Sequence, residues 1–156
     1  MVTAKRIVDR ANSFLDALKV LNEHTADLYP LPPKLFILGH SFELLLKAYL
    51  TANNIDFKKD HNLVQHLELC SKVRSEDNDM FVEPLGILAQ ALTPHYSIEV
   101  RYPTVDVNKQ LVGLLEDYAE LSAVEKSQFT PDPQEGYRVV HSLYLNLKAK
   151  YGGCST

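Results

Sequence analysis

Two cysteines in 156 residues leave no disulfide framework to build on. Cys70 falls in a predicted helix and Cys154 in the tail GGCST, neither at metal-ligand spacing, so both read as reduced thiols. The N-terminal MVTAKRIVDRANSF lacks an apolar stretch with a small-residue cleavage site, and no run reaches the roughly 18 apolar residues of a membrane span. The expectation is a cytoplasmic protein with no membrane partner. The six glycines are scattered and adjacent only at Gly152 and Gly153, which excludes a glycine-rich phosphate loop. No Gly-x-Ser-x-Gly nucleophile elbow occurs. The six histidines form neither His-x3-His nor His-Glu-x-x-His, since His24 is isolated and His61 and His66 are five apart, so neither a metal nor a cofactor is expected. Basic residues are also in the minority, 16 against 20 acidic, with a net charge of −4. Broad DNA binding, which needs a dense Lys/Arg surface to displace counterions, is therefore not expected, and only a small local basic site remains compatible.

What is present is an ordinary globular composition, 46% hydrophobic and 23% charged, in a chain long enough for one core. Residues 1–150 read as a single domain and 151–156 as a flexible C-terminal tail. Ile7, Ala11, Phe14, Leu18, Leu21, Thr25 and Leu28 recur at helical spacing and predict a first helix from Ala4 to Leu28. YPLPPK stops it, and a second helix is predicted from Pro33 to about Asn53. Leu63, Val64, Leu67, Cys70 and Val73 mark a third helix, RSEDND a charged, solvated connection, and Phe81, Leu85, Leu88 and Leu92 a fourth helix. TPHYSIEVRYPTVD breaks the periodicity as a loop. Further helices are predicted from Val107, on Leu111, Leu114, Tyr118 and Leu121, and from about Gln134 to Tyr151, on Val140, Leu143, Tyr144 and Leu147. The fold class is therefore all-α, an antiparallel up-and-down helical bundle of about five to six helices.

The second helix, ILGHSFELLLKAYLTANN, is apolar on nearly every side, yet carries His40, Glu43 and Lys47 in line. On a helical wheel these form a polar stripe about 80° wide. A surface helix has the opposite proportion, so this one belongs at the centre of the bundle. In the simplest reading Glu43 and Lys47 are a solvated i, i+4 pair contributing about 0.2–0.5 kcal/mol. In the alternative the stripe faces a groove or an interface, because buried charge is tolerated only where partners satisfy it. Two other segments bear on that choice. Asp60-His61-Asn62 stands where Asp or Asn caps a helix, and VRYP places Arg101 and Tyr102 in a proline-held loop. His141, beside the apolar stripe of the last helix, reads as packing or partner-contacting.

The ordered series of a first helix, a proline-containing break, HSFELLLKAYL, HNL opening the third helix, and RYP in a later loop resembles the HEPN superfamily. These are helical bundles related to the C-terminal domain of kanamycin nucleotidyltransferase. The resemblance spans about residues 4 to 120 and implies four or five antiparallel helices that usually pair as a homodimer. It further implies either metal-independent endoribonuclease or toxin activity, or service as a nucleotide binder or nucleotidyltransferase partner.

The ribonuclease members carry Arg, four to six residues, then His. From Arg6, Arg10, Arg74, Arg101 and Arg138 no histidine stands at that spacing, and Arg101 meets Asp106 to Asn108 instead. A carboxylate there is largely ionised and a poor general acid for moving the 2′-hydroxyl proton. No catalytic residue is assigned. The expectation is a non-catalytic or degenerate module that binds a nucleotide, RNA or a partner protein through His40, Glu43, Lys47, His61, Arg101 and Tyr102. A divergent metal-independent endoribonuclease and a purely structural dimerisation domain stand as alternatives.

Overall fold

The computed structural model describes residues 3–24, 31–93, 96 and 131–152. Among these the chain is all-α, with α1 (Ala4–His24), α2 (Leu31–Ala52), α3 (Leu63–Ser71), a 3-10 turn (Ser75–Met80), α4 (Glu83–Leu92) and α5 (Pro133–Tyr151). The helix predicted from Val107 lies outside the described residues. So do Thr25, Leu28, Arg101, Tyr102 and Cys154.

The buried line of α1 is Val8, Ala11, Leu15 and Leu18, with Ile7 and Phe14 only half-buried at its border. The predicted stripe was one residue out of phase at its flanks, because spacing alone does not say which of two adjacent apolar lines meets the partner helix. The second helix begins at Leu31, two residues before the predicted start. Pro32 and Pro33 fall in its first turn, where missing N–H groups remove no intrahelical bond. It ends on Asn54 at φ 56°, with Asn54 N–H donating to Thr51 O at 3.2 Å and Ile55 N–H to Leu50 O at 3.0 Å. That pair of bonds is a left-handed cap that closes the last carbonyls, with asparagine where glycine more often stands.

The second helix is central: it packs against α1, α3, α4 and α5. Phe42, Leu45, Leu46, Ala48, Tyr49 and Leu50 are fully enclosed, as the wheel predicted for such a position. Pro33–Ala52 is long and apolar enough to cross a membrane by length and composition, even though charged residues interrupt its apolar run; 61% of that window is buried inside the bundle.

Directions follow from contacts. Asn22 at the end of α1 donates to Pro133 O at the start of α5 (3.2 Å), so these two helices run oppositely. Leu38 packs over Gly136, and Asn53 Nδ2 donates to the Tyr151 hydroxyl (3.3 Å), so α2 and α5 run in the same direction. The last helix starts one residue earlier than predicted, with the Asp132 carboxylate accepting from Gln134 N–H at 3.0 Å. Its His141 stacks on Tyr137 (5.2 Å between centroids) and meets Tyr144 at 5.6 Å.

RSEDND is exposed at Arg74, Ser75, Glu76, Asn78 and Asp79, as its charge suggests, with Asp77 the exception. Asp77 is buried, accepts from the Tyr49 hydroxyl at 2.7 Å and pairs with Lys150 of α5. Lys150 holds its carboxyl below the ordinary range; burial opposes that, and Tyr49 and the charge of Lys150 add to it. Burial first, then Asp77, pushes the Tyr49 phenol up. The partners lie 28 and 73 residues away, beyond the reach of local patterning. Cys70 donates to Leu46 O at 3.5 Å, and burial pushes its thiol up to about 12, which makes it an inert core group.

In α4, Gly86 has open space where a Cβ would stand, with nothing within 4 Å. Glycine in a helix interior costs about 1 kcal/mol relative to alanine. Gly86→Ala is therefore expected to stabilise the protein by up to about 1 kcal/mol, or about 3 °C in Tm for a chain of this size, by thermal unfolding. An unchanged or lowered Tm would contradict it.

Candidate functional site

The polar stripe of α2 does not point to open water. Glu43 sits at its centre with a side chain 4% exposed, against 18% for Lys47 and 21% for His61. Three donors converge on its carboxylate: the Lys47 ammonium, the Tyr96 hydroxyl, and His61 Nδ1 at 3.1 and 3.0 Å from the two oxygens. Burial pushes the carboxyl up, but the hydrogen bonds from Lys47, Tyr96 and His61, with the charge of Lys47, outweigh it and hold Glu43 below the ordinary carboxylate range. His40 joins from one turn earlier, its Nδ1 3.2 Å from the Tyr96 hydroxyl.

Each partner is delivered by a local device. His61 is fixed from both sides, since Asp60 Oδ1 accepts from Asn62 N–H (3.3 Å) and Asn62 Oδ1 accepts from Gln65 N–H (3.1 Å). These are the turn and cap that the order Asp-His-Asn encodes, and the second of them opens α3. Lys47 then ties that turn to α2 by donating to Asp60 O at 3.2 Å, with the Phe57 ring 5.8 Å from its ammonium. Behind the turn, buried His66 lies 3.1 Å from Lys58 O through Nε2. Its other nitrogen has no partner among the described residues, so the Nε2–H tautomer is the one that leaves no buried donor unpaired.

Tyr96 is the residue that sequence reasoning missed. It is fully buried, and its ring lies directly over Gly39: a Cβ on Gly39 would stand 2.6 Å from Tyr96 Cγ and Cδ2. A glycine inside an otherwise strong helix former was the available signal, for it marks a close approach. Phe36, Phe14 and His40 complete the surroundings, with Phe14 edge-on to His40 at 4.6 Å and Phe36 5.8 Å from Tyr96. The aromatic wall and the buried carboxylate hold the imidazoles of His40 and His61 against Tyr96.

The structure thus brings together His40, Glu43, Lys47 and His61. Arg101 and Tyr102 lie outside the described residues. Chemically, Lys47 is engaged with Glu43 and the Asp60 carbonyl, which makes it a tether for the turn rather than an uncommitted cation. Among the described residues no three His, Cys, Asp or Glu side chains are grouped to hold a metal ion.

This helical order, with its polar centre on α2 and the HNL turn opposite, agrees with a family match. The HEPN domain model matches residues 4–126. The chain belongs to the HEPN family. No curated protein and no solved structure matches it. The HEPN match takes in α1 to α4, Tyr96 and every candidate residue, and ends before α5. The last helix nevertheless packs on α1, α2 and α4, so it forms part of the same bundle.

Proposed function

We propose that this HEPN domain is a non-catalytic module that binds a nucleotide or RNA at the edge of α2 and the turn before α3. The observation that carries this reading is the gathering of Lys47, His61 and, through Tyr96, His40 around the buried carboxylate of Glu43, which leaves the imidazoles partly accessible. A helix so apolar elsewhere has no packing need for such a cluster, and converging polar groups of this kind are the usual mark of a site. Arg101 contributes the phosphate clamp through its guanidinium fork, and Tyr102 stands beside it as a further ligand-binding residue. The family resemblance supports a homodimer and a setting with a nucleotidyltransferase partner, in toxin-antitoxin or defence systems.

The test is fluorescence anisotropy with a labelled oligoribonucleotide, with ATP as competitor. Saturable binding without cleavage is expected, weakened at least about tenfold in a His40→Ala, His61→Ala double variant, the equivalent of about 1.4 kcal/mol. Binding untouched by that double change sinks the site. Metal-independent cleavage of the RNA would replace the reading with a divergent endoribonuclease.

A further inference from the structure

The hydrogen bonds made by Tyr96 and Glu43 fix which ring nitrogen of each histidine carries its proton. Glu43, ionised beside Lys47, can only accept. The single hydroxyl proton of Tyr96 goes to Glu43 Oε2. The Tyr96 oxygen therefore meets His40 Nδ1, 3.2 Å away, as an acceptor, and Nδ1 must carry the proton. His61 Nδ1 faces both carboxylate oxygens at 3.1 and 3.0 Å and must donate as well.

We propose that Tyr96 is a positioning residue of the site: by accepting from His40 while donating to Glu43, it gives His40 the same Nδ1–H tautomer that Glu43 imposes directly on His61. In their neutral forms both rings then carry the lone pair on Nε2, at the ring edge opposite the cluster. The two histidines, 21 residues apart in sequence, become chemically alike through one carboxylate. Tyr96 needs no contact with the ligand to do this. The effect on binding rests on the functional reading above; the tautomer assignment does not.

Nitrogen-15 NMR of the histidine rings in the free protein tests it. Wild type is expected to show His40 and His61 both as Nδ1–H tautomers. Tyr96→Phe keeps the ring that fills the notch over Gly39 and removes only the hydroxyl. His40 is then expected to shift toward the Nε2–H form, while His61 stays as it was. An Nε2–H His40 in wild type overturns the proposal whatever the variant's stability. So does a His40 signal indifferent to Tyr96→Phe, and so does a change that strikes both histidines equally, which would make Tyr96 a packing residue. Because no ligand is present, failure to bind RNA or nucleotide counts against the functional reading alone.

Discussion

Glu43→Ala is expected to destabilise the protein by about 3 kcal/mol, read from urea unfolding, because it strips three buried or half-buried donors of their shared acceptor. Breaking one side of a buried pair costs far more than the pair contributes, since the orphaned ammonium of Lys47 keeps its desolvation penalty without its counter-charge. Removing both charges tests that cause. Glu43→Leu with Lys47→Met is expected to recover about 1–2 kcal/mol of the loss, since apolar groups of similar volume need no partners there. If the double change is as damaging as the single one, the cost lies in packing and not in charge.

The pH dependence has a definite sign. Glu43 is held below its ordinary range in the fold, so the unfolded chain takes up its proton at higher pH than the folded chain does. Its contribution is fully present above the ordinary carboxylate value, about pH 4, and is lost as pH falls through the lower folded value. Asp77 has a shift of the same direction, caused first by Lys150. Acid unfolding of Glu43→Gln should therefore be less steep than that of wild type, but not flat, because Asp77 remains. An identical slope would contradict the role given to Glu43.

The second large effect is expected at Gly39. The ring of Tyr96 occupies the space of a Cβ there, and a rigid, fully buried ring cannot yield as the tip of a flexible chain would. Overpacking of this kind costs about 1–3 kcal/mol, set against the gain of about 1 kcal/mol that alanine brings to a helix interior. Gly39→Ala should thus lose about 1 kcal/mol net, and Gly39→Leu about 3 kcal/mol, by urea unfolding. In Gly39→Leu the displaced ring also withdraws its hydroxyl from Glu43, so the His40 ring signal should change with it. The same Gly→Ala exchange at Gly86 has the opposite sign, because only open space lies there. Equal effects at the two positions would mean that helix propensity, not the contact with Tyr96, governs Gly39.

Much of the bundle was legible from periodicity. The inverted proportion of apolar to polar residues in ILGHSFELLLKAYLTANN placed α2 at the centre, and Asp60-His61-Asn62 announced the turn and cap that open α3. These are local effects, settled by residues within one or two turns of each other, and sequence alone determines them. The HEPN resemblance was carried by the same short segments.

Partnership across long separations was decided only by the tertiary structure. The sequence offered Glu43 and Lys47 as a solvated pair or a site and could not choose. The structure removes the solvated reading, because Tyr96 and His61, 53 and 18 residues away, close over the carboxylate. Asp77 looked like solvated surface until Tyr49 and Lys150 met it. A charged side chain is buried or exposed according to whether the fold supplies donors to replace water, and those donors come from other helices. The sequence by itself determined the helices, their caps and the polar line on α2; the packing of the bundle decided that this line would be enclosed, and by which residues.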